Sequence, residues 1–119
     1  GVEVRNAING ESIGRVSSLG LDFADMLTYG RKLGGSALRS MTIHDRANML
    51  KALALHLLDR KELFYAVSAK TGATRADSWV DIEGGIGNLF ANASLRKKFP
   101  DQPFYVDGEM ANLSKEGIF

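Results

Sequence analysis

Apolar and polar residues alternate along this chain with two different periods, and the change of period divides it into elements. Residues 2–5 and 12–16 carry a partial two-residue alternation on either side of Asn9-Gly10, a dipeptide that tolerates the positive φ angles of a tight turn. That pattern predicts a β-hairpin over about 2–16. From Asp22 onward the period lengthens to three and four residues. Phe23, Met26, Leu27, Gly30 and Leu33 share one helical face, and Gly34-Gly35 is expected to end that helix, about 22–33, as a left-handed cap. Residues 36–41 then read as a connector.

Thr42 with Asp45 has the spacing of a capping box, and Ala47, Leu50, Leu53, Ala54, Leu57 and Leu58 form a wide apolar stripe, which predicts a helix over about 43–58. Asp59 followed by Glu62 suggests a capped restart and a third helix over about 60–71, carried by Leu63, Phe64, Ala66, Val67 and Ala69 and stopped by Gly72. Thr74 and Asp77 open the longest run, about 75–98, in which Trp79, Ile82, Ile86, Leu89, Phe90 and Ala93 share a face. Arg96, Lys97 and Lys98 sit where the helix dipole favours cations. Residues 99–119, with two prolines and Asp107-Gly108, read as an irregular tail.

Gly84, Gly85 and Gly87 lie inside the long helix, where each costs about 1 kcal/mol relative to alanine. A helix bearing that penalty is expected to be clamped by closely packed neighbours, or to leave room for a ligand. The glycines do not make a dinucleotide fingerprint, which needs them in a turn between a strand and a helix.

Composition removes several chemistries. The 119 residues contain no cysteine, so disulfides, thiolate nucleophiles and Cys-ligated zinc are excluded within this stretch. Fifteen basic against fourteen acidic residues leave a formal charge of +1, which points to neither nucleic acid nor a membrane surface as partner. No apolar run reaches the roughly 20 residues needed to span a bilayer, and no secretion signal opens the chain, so the cytoplasm is the expected compartment. His44 and His56, twelve apart, would stand about 18 Å apart on a straight helix, too far to share a metal. His44 is expected at the surface and His56 partly buried. Asp77, Asp81 and Glu83 form an acidic cluster without a complementary ligand set elsewhere, and read as a solvated face or as ion-pair partners for Arg46 or Arg75. No serine sits in a nucleophile elbow. The residues therefore supply no catalytic, cofactor-binding or metal site.

The order of these elements resembles the beginning of the aldehyde dehydrogenase superfamily. The correspondence runs through the Asn6–Glu11 turn, Arg46-Ala47, Leu50 to Leu58, Asp59 to Glu62, and Thr71-Gly72 ahead of the long helix. Residues 71–87, and Leu113-Ser-Lys-Glu-Gly117, are similar to the dehydrogenase domain of the bifunctional ring-opening enzymes of bacterial phenylacetate degradation. The resemblance implies the N-terminal segment of an α/β dehydrogenase fold. It also implies NADP-dependent oxidation of a CoA-thioester semialdehyde, with a hydratase domain downstream in the complete enzyme. A semialdehyde dehydrogenase of the benzoyl-CoA pathway, lacking that hydratase, is the alternative within the family; a free-standing helical module with mutually facing apolar stripes is the alternative outside it. The family's catalytic cysteine, general-base glutamate, oxyanion-holding asparagine and cofactor-binding unit are expected beyond Phe119. The segment itself is accordingly expected to be inactive and to bind no NADP. Its expected partners are the remainder of the dehydrogenase domain and further copies in a homo-oligomer. The same resemblance places the middle of the long helix along a substrate entrance tunnel, with Gly84 and Asn88 as its inward positions.

Overall fold

The computed structural model describes residues 1–106; the expected turn at Asp107-Gly108 and the stretch 113–117 lie outside the described residues. The fold is mainly helical, with one antiparallel two-stranded hairpin at its front. Strands β1 (Val2–Arg5) and β2 (Ser12–Val16) pair Val2 with Val16 and Glu3 with Arg15, with an irregularity between Val4 and Arg5. Gly10 adopts φ 75°, as the turn requires. The hairpin is tied to the helices at its tip, where the Ala7 amide donates to the Lys70 carbonyl at 2.8 Å. Gly72, at φ 86°, shapes the receiving turn, and the Ala7 methyl lies 3.6 Å from the position its Cβ would take.

Helix α1 (Phe23–Tyr29) is capped by Asp22, whose side chain accepts from the Asp25 amide. The expected stop at Gly34-Gly35 does not occur. Both glycines are right-handed (φ −61° and −62°), a π turn over Gly30–Gly34 absorbs an extra residue, and α2 (Gly35–Ser40) continues through the predicted connector. Glycine permits the left-handed cap without enforcing it, and Ser-Ala-Leu-Arg beyond it sustains a helix. The chain leaves helical geometry at Met41, at φ −85° and ψ 149°.

Helix α3 (Ile43–Asp59) begins with the expected capping box: the Thr42 side chain accepts from the Asp45 amide, and the Asp45 side chain accepts from the Thr42 amide. The restart into α4 (Lys61–Ala69) comes at Arg60 and carries no side-chain cap, so the Asp59 and Glu62 signature corresponds to a break but not to a cap. Helix α5 (Arg75–Ser94) is capped by Thr74 and passes into a 3-10 turn, Leu95–Lys98, so the last turn of the predicted helix is tighter than α-helical.

Helix α5 packs along α3 and against α4, whereas among the described residues α1 and α2 have no substantial packing partner beyond the π turn between them. Among the described residues the buried apolar side chains are Ala47, Ala54, Tyr65, Ile86 and Ala93. Four of the five are small or polar-tipped, so the shared core is thin. Phe23, Met26, Leu27 and Leu33 are all more than half exposed.

Helix α4 turns only part of its apolar set inward: Phe64 edges a groove beside α5, but Leu63 and Val67 face away. Lys61, Tyr65 and Ser68, at i, i+4 and i+7, face α5, while Leu63 and Val67 stand 66% and 62% exposed. The apolar stripes of α3 and α5 meet through Ala47, Ala54, Ile86 and Ala93, whereas α4 meets α5 largely through polar side chains. Trp79 keeps the helical phase of the predicted stripe but is 56% exposed.

Candidate functional site

The side-chain chemistry that is assembled lies at the α4–α5 seam. Glu83 Oε1 accepts from the Tyr65 hydroxyl at 2.9 Å and from Lys61 Nζ at 3.1 Å. The Tyr65 hydrogen bond, then that of Lys61, holds the Glu83 carboxyl below the usual carboxylate range. Burial, then the bond to Glu83, raises the Tyr65 phenol above its ordinary value. The Arg75 guanidinium lies 4.0 Å from the centre of the Tyr65 ring and donates to both Glu62 oxygens, at 3.0 and 3.3 Å. One turn nearer the start of α5, the buried Ser78 hydroxyl meets the Ser68 hydroxyl at 2.7 Å and donates to the Thr74 carbonyl at 2.9 Å.

Each of these side chains has a hydrogen-bond partner among the others, and no buried side-chain polar atom among the described residues is left unpaired. A recess of about 370 Å³ opens beside Tyr65, Arg75 and Ser78, but its polar groups are already engaged. The seam clamps two helices. Ser78 has no imidazole partner there, which leaves it without a base for nucleophilic chemistry.

The histidines play structural parts different from those expected. His44 is half-buried and its Nε2 donates to the Phe99 carbonyl at 3.0 Å. His56 is exposed rather than partly buried, with Nδ1 3.1 Å from Arg60 Nη1. Arg46, proposed as a carboxylate partner, instead donates to three carbonyls: Leu38 at 2.9 Å, Met41 at 3.1 Å and Pro103 at 2.8 Å. Asp77 is held by the Thr74 cap, its Oδ2 accepting from the Thr74 hydroxyl at 2.6 Å. Among the described residues no three His, Asp or Glu side chains group as metal ligands.

Gly84 and Asn88, the positions that the family resemblance assigns to a tunnel, lie one turn apart on the face of α5 opposite Ser78, Ile82, Ile86 and Ala93. Both are exposed. A Cβ added at Gly84, Gly85 or Gly87 would meet no heavy atom within 4 Å. The expected close packing around the glycines is thus absent among the described residues. Gly84 and Gly87 point away from α3 and α4. Gly85 edges an open apolar groove of about 430 Å³, between Leu57, Phe64, Ile82, Ile86 and Leu89.

Among the described residues no strand-turn-helix unit that would hold a nicotinamide dinucleotide is formed. The described strands form only the hairpin, with no glycine-rich turn leading from a strand into a helix, and the α5 glycines lie inside a continuous helix whose amides are committed to its own ladder. Lys61, Tyr65 and Ser68 were the residues that sequence reasoning missed. Their signal was a polar face on α4 at i, i+4 and i+7, concealed by the stronger apolar pattern of Leu63, Phe64 and Val67.

No protein-family model matches the chain. The whole chain is 31% identical over 120 residues to the 3,4-dehydroadipyl-CoA semialdehyde dehydrogenase of Aromatoleum evansii. It spans 23% of the length of that relative.

Proposed function

We propose that this chain is a helical segment of a dehydrogenase that oxidises a CoA-thioester semialdehyde in the catabolism of aromatic compounds, with NADP as the oxidant. The observation that carries the reading is the similarity, along the whole chain, to a dehydrogenase named for a CoA-linked semialdehyde. Supporting it is the distribution of apolar surface: α1, α2 and the outer side of α4 present Phe23, Met26, Leu27, Leu63 and Val67 to solvent, as helices that cover another part of a larger fold would. The partner for these faces is the remainder of the dehydrogenase polypeptide, within a homo-oligomer.

The division of labour follows from the residues present. Oxidation through a thiohemiacetal requires a cysteine, which these 119 residues lack, and the cofactor requires a phosphate-binding turn, which residues 1–106 do not form. This segment's role is to position and admit substrate. Gly84 keeps a passage along α5 wide enough for a CoA-linked acyl chain, and Asn88 offers it a polar contact.

Within this reading, the likeness of residues 71–87 to the phenylacetate ring-opening enzymes favours a parent that also carries a hydratase. The alternative parent is a dehydrogenase alone.

The test compares the complete polypeptide with residues 1–119. The complete protein should reduce NADP in the presence of a CoA-linked semialdehyde, and residues 1–119 should show neither turnover nor saturable NADP binding by calorimetry. Turnover by residues 1–119 would overturn the reading. Hydrolytic opening of an oxepin-CoA ring by the complete protein would assign the bifunctional parent.

A further inference from the structure

We draw no further inference here: the strongest candidate, the open apolar groove between α3, α4 and α5 lined by Leu57, Phe64, Ile82, Gly85, Ile86 and Leu89, is an unpartnered face, and nothing in the structure shows what covers it.

Discussion

A methyl group placed on Gly84 would stand in open space on a right-handed helix, which makes this residue a sharp test of what α5 is for. In residues 1–119, Gly84→Ala should stabilise the chain by about 1 kcal/mol, the ordinary gain for replacing glycine inside an exposed helix, measured by chemical denaturation. In the complete enzyme, Gly84→Leu should raise KM for the CoA-linked semialdehyde more than for a small aldehyde. Equal effects on both substrates would leave packing as the residue's only role. Glu83 offers a second test at the same scale. Because Tyr65 and Lys61 depress its carboxyl in the folded chain, the folded state binds that proton less tightly than the unfolded one. The stabilisation is complete above the unfolded value and is lost as pH falls from about 4.5 through the depressed folded value. Helicity followed by circular dichroism should therefore show an acid-dependent loss that Glu83→Gln flattens and Tyr65→Phe weakens. An unchanged acid limb in Glu83→Gln would remove the carboxylate from the clamp. The sequence displayed these carboxylates without revealing their partners, since Lys61 and Tyr65 reach Glu83 only after two helices have docked.

Elements were most legible where their signals are local. The Asn9-Gly10 hairpin and the caps at Thr42 and Thr74 depend on backbone conformation and on hydrogen bonds spanning three residues, so a linear reading captures them. Gly34-Gly35 misled because a glycine pair is equally compatible with continuing, and the π turn let it continue. The orientation of α4 misled for a different reason: hydrophobicity marks which face seeks cover, not which neighbour supplies it. Arg46 joins elements in a way no periodicity contains, tying the end of α2, the start of α3 and Pro103 through one guanidinium. Arg46→Ala should destabilise the chain by about 2 kcal/mol, the scale of losing hydrogen bonds from a charged donor, and should loosen residues 99–106 in hydrogen exchange. Arg46→Lys should recover little, because a single ammonium cannot span three carbonyls with the geometry of a planar fork. Full recovery by lysine would show that charge, not the three-way tie, holds the junction.

At the scale of the whole molecule, the balance between covered and uncovered apolar surface connects fold to function. A chain of 119 residues folding for itself ordinarily buries about two thirds of its unfolded surface around one core. Among the described residues the buried apolar side chains are two alanines on α3, Tyr65 on α4, and Ile86 and Ala93 on α5, while Phe23, Met26 and Leu27 on α1, Leu63 and Val67 on α4, and Trp79 and Val80 on α5 are more than half exposed. The solitary tryptophan reports on that difference directly, because Trp79 is 56% exposed near the start of α5. In residues 1–119 its fluorescence should be red-shifted and readily quenched by acrylamide. On the proposed reading, the same indole in the complete polypeptide should emit at shorter wavelength and resist quenching, because the remainder of that polypeptide would remove it from water. A concentration-dependent blue shift in residues 1–119, matched by a rise in mass by light scattering, would assign that cover to further copies of the chain. If Trp79 stays equally accessible in the complete protein and the short one, this end of α5 faces solvent, and the covering role falls to the remaining apolar faces of α1, α2 and α4.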